Sequence, residues 1–182
     1  MYKKEEVLKS TLNYFNGDDL ATDVWINKYG LKDKEDNLLE LTPEDMHTRL
    51  ADELFRIELK YKNPTPYETI KRLLTNFNYF IPAGSCMFGI GNNNSFSSLG
   101  NCFVIGNNHD SYSGILRLDE EQVNLMKRRA GVGFDISHLR PRGSKVTNSA
   151  KTSTGAVSFM HRFSNSTNEV AQEGRRKPKI SI

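Results

Sequence analysis

Cys102 sits in the stretch SSLGNCFVIGNNHDSYSG, residues 97–114, between small polar residues and a short apolar run. Two chemistries fit a cysteine there. At the head of a buried strand it is a satisfied core thiol, as in most proteins. As a redox thiol it needs a second sulfur within about 7 Å between α-carbons, or access for an external thiol. Cys86 is the only other cysteine in the chain, and nothing in the spacing brings the two together. Glycine pairs occur in GIGNNN (Gly89, Gly91) and GVGFD (Gly131, Gly133). Neither has the third glycine of a dinucleotide fingerprint, and the second follows a helical pattern where the fingerprint must follow a strand. Such glycines allow close approach of the backbone to a ligand, or merely a helix end turning tightly into a strand. Around the second pair lie Arg128, Arg129, Arg140, Arg142 and Lys145. Forked guanidiniums suit phosphate oxygens, and the same composition suits a solvated loop. His47, His109, His138 and His161 lack metal-ligand spacing, and no serine, histidine and acid constellation stands out, so no metal site is expected.

The elements that must position these residues fall into two textures. In the first, LTPEDMHTRLADELFRIELKYK carries a complete helix start: Thr42 to cap, Pro43 at the first position, Asp45 to close the box. Met46, Leu50, Leu54 and Ile57 then recur at helical spacing. TPYETIKRLLTNF repeats this grammar with Thr65, Pro66 and Glu68, then Ile70, Leu73, Leu74 and Phe77. Two shorter helices precede them, KKEEVLKSTLNYF and DLATDVWINKY, with Trp25 and Tyr29 assigned to the core. At FIPAGSCMFGIGNNNSFSSLG the composition turns to glycine, serine and asparagine, which predicts an irregular loop and a domain boundary near Ile81. Beyond it, NCFVIG and VGFDISH read as short buried strands. DEEQVNLMKRRAG reads as a helix opened by Asp119, and TSTGAVSFMHRFSNSTNEVAQ as a long helix with Val157, Met160, Phe163 and Val170 inward. Strand, helix, strand, helix implies parallel pairing through crossover helices, so residues 1–81 are expected to be a helical domain and 82–182 an α/β region.

The chain has 182 residues, 37% hydrophobic and 26% charged, an ordinary globular composition. Its longest apolar runs are far shorter than a membrane span, and the basic start MYKK leads into a helical pattern rather than a signal core, so no membrane partner is expected. Two cysteines make no disulfide framework, which points to a reducing cytoplasm. The formal charge is +3, but Arg175, Arg176, Lys177 and Lys179 cluster near the end and the balance before them is slightly negative. A nucleic-acid-binding face would need basic residues spread through the fold, so nucleic acid is not expected as a partner.

Taken together, SLGNCFVIGNNHDSYSG, KRRAGVGFDISHLRPRGSKV, NSAKTSTGAVSFMHRFSNSTNEVAQEGRR and LTPEDMHTRLADELFRIE resemble the N-terminal part of the large, catalytic subunit of ribonucleotide reductase. The resemblance implies a helical domain followed by the first strands and helices of an incomplete ten-stranded α/β barrel. It also implies reduction of the ribose 2′-hydroxyl by thiol and radical chemistry. Cys102 then corresponds to the first cysteine of the dithiol that reduces the substrate. Ser85, Asn101 and Gly131 fall at substrate contacts, and Asp110, Ser111 and Arg140 at the site of a deoxynucleotide or ATP effector. Gly174, Arg175 and Arg176 would begin the loop that carries specificity between the two.

The same resemblance implies partners and cofactors. None is bound directly by this segment. The radical would come from a small subunit with a dimetal centre, or from adenosylcobalamin. A ribonucleotide substrate, a thioredoxin- or glutaredoxin-type reductant, the remaining part of the catalytic subunit and a homodimer partner complete the expectation. The sequence departs from the pattern at Cys86, where relatives usually have proline, and at Thr147, where many have an arginine for the effector phosphate. No N-terminal stretch resembles an ATP-binding cone, and KPKISI replaces the usual continuation after Arg176. The 182 residues alone are expected to be a truncated, inactive portion of that enzyme. The alternative is a non-catalytic module that binds nucleotide or a full-length subunit.

Overall fold

A computed structural model describes residues 1–106 and 109–170, which form two compact units, Met1–Leu99 and another beginning at Gly100. The first is helical. Its central helix, α3 (Pro43–Glu58), starts as its residues dictate: Thr42 Oγ1 accepts from the Glu44 amide at 3.3 Å, and Asp45 Oδ2 accepts from the amides of Thr42 at 3.2 Å and Leu41 at 2.7 Å. Met46, His47, Leu50 and Ala51 form its fully buried face. Against them pack Val7 of α1 (Lys4–Tyr14), Trp25 and Ile26 of α2 (Asp19–Lys28), and Ile70 and Leu74 of α4 (Tyr67–Leu74).

The second helix start does not repeat the first. α4 has no side-chain cap, because its N-cap residue is Pro66, which has no side-chain acceptor; the Thr65 amide instead donates to the Glu58 carboxylate at 2.9 Å, and Leu73 turns outward. A 3₁₀ turn, Thr75–Phe77, then folds Phe77 edge-on to His47, with ring centroids 4.5 Å apart.

The glycine-rich stretch expected to be an irregular loop opening the second domain is irregular over most of its length, but it does not open that domain. It contains a short helix, α5 (Gly84–Gly89), and joins the first core through Met87. Arg49 holds it there: its Nη2 donates to the Met87 carbonyl at 3.1 Å and its Nη1 to the Ile90 carbonyl. The units therefore divide between Leu99 and Gly100 rather than near Ile81. Composition reports backbone freedom, not which core a segment enters.

In the second unit β1 (Cys102–Ile105), α6 (Tyr112–Met126), β2 (Gly131–Phe134) and α7 (Ala156–Glu169) follow in the anticipated order. The strands pair in parallel, Cys102 opposite Gly131 through Ile105 opposite Phe134. A crossover helix between them is what parallel pairing requires. Their covered side meets Ile115, Leu118, Leu139 and Phe163, with Ile105, Phe134 and Phe159 at the margin.

Two expectations about these helices fail. Asp119 does not open α6. The Ser111 hydroxyl caps it, accepting from the Gly114 amide at 3.2 Å, while Asp119 lies buried mid-helix and accepts from Arg162 Nε of α7 at 3.1 Å. Gln122 makes the same crossing, donating to the Phe163 carbonyl at 2.8 Å and Thr167 Oγ1 at 2.9 Å. Val157 points outward at 64% exposure, and Phe159 and Phe163 supply the inward face. Among the described residues no helix is long and apolar enough to cross a membrane.

Candidate functional site

The strands present two different faces. Phe103, Ile105, Val132 and Phe134 are half-covered, whereas Cys102, Val104 and Gly133 are exposed. Alternation along paired strands puts the exposed set on one side. Opposite Val104 stands Gly133, where an added Cβ would meet nothing within 4 Å. Among the described residues, the face that carries the thiol is exposed at Cys102, Val104 and Gly133. Cys102 is exposed, not a packed core thiol, which corrects the reading of its strand as buried. The Asn101 carbonyl accepts from the Gly131 amide at 2.7 Å, extending the strand pairing by one step.

Of the residues assigned to substrate, Asn101 and Gly131 thus meet Cys102 at the head of the sheet. Ser85 belongs to the first unit, in the opening turn of α5, at 5% exposure. Cys86 beside it is half-buried and its thiol donates to the Leu99 carbonyl at 3.4 Å. Gly174, Arg175 and Arg176 lie outside the described residues.

The other glycine pair has a packing explanation. Gly91 takes φ +70°, and an added Cβ would lie 2.7 Å from Arg49 Cγ. Glycine is needed there by the protein's own chain rather than by a ligand. The aspartate of GVGFD is also occupied locally: Asp135 accepts from the Ser137 amide at 2.8 Å and hydroxyl at 3.0 Å, and these bonds hold its carboxyl below the ordinary carboxylate range.

A second site lies at the start of α6. Asp110 and Ser111, adjacent in sequence, and Arg140, distant from them, border one cleft of about 210 Å³. Arg140 Nε donates to Asp110 Oδ2, its Nη2 to the Asp110 carbonyl at 3.4 Å, and its Nη1 to the Lys145 carbonyl at 3.0 Å. The far wall is the segment 143–153, folded back on itself: Lys145 bridges Thr152, and the Val146 amide donates to the Lys151 carbonyl at 2.9 Å. Thr147, Asn148, Thr152, Ser153 and Thr154 turn this wall toward the cleft, with Tyr112 and Phe159 opposite. The basic-run reading singled out five cations, of which only Arg140 lines the cleft. It missed the hydroxyl wall, whose signal was the run TNSAKTST directly after the arginines.

Two family models match the chain: "Ribonucleotide reductase, all-alpha domain" over residues 15–95 and "Ribonucleotide reductase, barrel domain" over residues 100–181. Among curated relatives, the ribonucleoside-diphosphate reductase large chain 2 of Saccharomyces cerevisiae is 30% identical over 105 residues, covering 58% of this chain and 12% of that protein. The vitamin B12-dependent ribonucleoside-diphosphate reductase of Mycobacterium tuberculosis is 30% identical over 110 residues, 60% of this chain and 15% of that protein. The large chain of Neurospora crassa is 26% identical over 116 residues, 61% and 12%. The chain spans between 12% and 15% of the length of these relatives.

Proposed function

Since the chain belongs to the ribonucleotide reductase large-subunit family, with the all-alpha domain followed by the start of the barrel domain, we propose that it supplies the substrate-facing thiol and the effector cleft of a ribonucleoside-diphosphate reductase. The observation that carries this is the exposed Cys102 opposite Gly131, on a sheet face that Gly133, the next glycine along, leaves open. Removing a ribose 2′-hydroxyl as water and placing hydrogen on that carbon takes two electrons and two protons. Cys102 and a second thiol give them, ending as a disulfide, and an external dithiol of the thioredoxin or glutaredoxin type restores the pair. Asn101, Gly131 and Ser85 contact the nucleotide. Asp110, Ser111 and Arg140 hold a deoxynucleotide or ATP effector, and the loop from Gly174 through Arg176 relays its identity to the substrate.

The two parallel strands among the described residues do not make a barrel, and in this reading activity requires further strands, as a homodimer, in a reducing cytoplasm. The radical comes from outside this segment, from a small subunit with a dimetal centre. The vitamin B12-dependent relative, at the same 30% identity as the yeast chain, favours adenosylcobalamin as a second reading.

The test supplies the completing polypeptide and a radical source and assays deoxyribonucleotide formation. Activity that needs both, responds to effector, and is lost in Cys102→Ser with dithiol present is the expected result. Full turnover by Cys102→Ser sinks the proposal. Nucleotide binding without turnover in the completed complex would favour a non-catalytic module.

A further inference from the structure

Resting on the reading of Ser85 as a nucleotide contact, we propose that Arg49 is the positioning residue for that contact: it clamps α5 to α3 and so sets affinity for the ribonucleotide without touching it. α5 cannot place itself. Its six residues are too few for a helix to be stable on its own, and its first turn has no side-chain cap. At 5% exposure Ser85 offers a ligand little surface, so a small displacement of α5 changes what that residue can reach.

The C-terminal end of α5 shows what holds it. Three of its last four carbonyls are satisfied by the chain just beyond: Cys86 accepts from the Ile90 amide at 3.0 Å, Gly89 from the Asn92 amide at 3.2 Å, and Phe88 from Asn92 Nδ2 at 3.3 Å. The fourth, that of Met87, accepts from Arg49 Nη2 at 3.1 Å, and Arg49 Nη1 donates to the Ile90 carbonyl just past the helix. Two donors of one rigid fork thus grip the end of α5.

Arg49 is itself fixed. It belongs to α3, whose start is locked by its capping box, and the Glu40 carboxylate accepts from its Nε at 2.7 Å. At the other end of α5, beside Ser85, the missing side chain of Gly84 admits the Tyr29 ring, which an added Cβ would meet at 3.1 Å. Tyr29 supplies a packing contact there, and Arg49 supplies directional bonds.

Cys86, the neighbour of Ser85, reports on α5 in the 182-residue chain itself, because its half-buried thiol is shielded while the helix is seated. Iodoacetamide labelling of Cys86 is compared in wild type, in Arg49→Lys, which keeps a charge beside Glu40 but loses the fork, and in Arg49→Met with Glu40→Gln, which removes the charge pair together with the grip. Both variants should label Cys86 about tenfold faster than wild type, with the Cys102 rate unchanged. Leu74→Ala, which weakens the same core without touching Arg49, should leave the Cys86 rate within about twofold of wild type. In the enzyme completed with the remaining polypeptide and a radical source, both Arg49 variants should raise the ribonucleotide KM about tenfold and change kcat less than about twofold, the signature of lost binding rather than lost chemistry. Wild-type Cys86 rates in both Arg49 variants, or an equal acceleration in Leu74→Ala, overturn the inference. Faster labelling with an unchanged KM overturns it as well, as does a loss confined to kcat. If the completed wild-type enzyme makes no deoxyribonucleotide, the reading of Ser85 fails first and this inference falls with it.

Discussion

Cys102 and Gly131 face each other at the head of two parallel strands, and the next position on the same side pairs Val104 with Gly133. The Cys102 residue is exposed, so a reagent that approaches the sheet from this side can reach it. Cys86, half-buried and hydrogen-bonded to the Leu99 carbonyl, is not. Iodoacetamide should therefore label Cys102 about tenfold faster than Cys86, read by peptide mass spectrometry over a time course. Equal rates, or Cys86 first, would mean that the Cys102 face is covered in solution.

What the sequence disclosed divides along the range of the interactions involved. The start of α3 was legible because Thr42, Pro43 and Asp45 satisfy one another within a single turn. Thr65 carried the same local signal and failed, since the helix begins one residue later with Pro66 in the capping position and the Thr65 amide is held by the Glu58 carboxylate. Asp119 looked like a cap and is instead the partner of Arg162, a residue whose proximity no local pattern announces. The exposure of Cys102 was equally hidden: an apolar run says that a strand has a covered face, and only the neighbouring glycines and helices decide which residues share it. Asp110 and Arg140 were grouped through family resemblance, and the structure brings the two side chains into an ion pair; their role toward a ligand is the part left to experiment.

Glu40 and Arg49 form a buried ion pair, Nε to Oε1 at 2.7 Å, with side chains 5% and 11% exposed. Glu40 also accepts from the Leu31 amide at 2.7 Å, and Arg49 reaches the α5 carbonyls, so the pair ties three segments together. Arg49→Met strands a buried carboxylate and should cost about 3–5 kcal/mol of stability. Glu40→Gln added to it should recover much of that loss. Urea unfolding followed by fluorescence of Trp25, the only tryptophan, checks both. A single-variant cost near zero would mean that the pair is solvated.

His47 is fully buried, with Nδ1 3.4 Å from Glu44 Oε2 and its ring on Phe77, and Nε2 has no hydrogen-bond partner among the described residues. Burial pulls its pKa below 6.5, against the opposing pull of Glu44. Burial raises the Glu44 carboxyl, but Lys71 at 2.5 Å, aided by His47, outweighs it and holds the group below 4.5. Both folded-state values lie below their unfolded ones, so both contributions are complete above the unfolded pKa and are lost as pH falls. Tyr14, pushed up to about 12 by burial and then by Glu44, acts in the opposite sense and loses stability as pH rises past 10.0. The first unit should hold a plateau between neutral and mildly alkaline pH and weaken below pH 6.5. His47→Leu should flatten the upper part of that acid limb while the Glu44 part remains. Urea midpoints across the acid range measure it, and an unchanged slope in His47→Leu would remove His47 from the account.

Gly91 and Arg49 make the most direct claim on residue identity. Gly91 sits at φ +70°, where an L side chain is strained, and its Cβ would press on the Arg49 stem at 2.7 Å from Cγ and against the Arg49 carbonyl at 3.3 Å. Gly91→Ala should destabilise the first unit by about 1–3 kcal/mol, from backbone strain plus displacement of the arginine. The two contributions separate in a double-mutant cycle. In an Arg49→Ala background the stem is gone, so adding Gly91→Ala should cost only the strain and the remaining contact with the residue 49 carbonyl, and the effects of the two substitutions should be less than additive by about 0.5 kcal/mol or more. Strict additivity would show that the close approach carries no energy of its own, and that glycine is required at this position for its backbone alone.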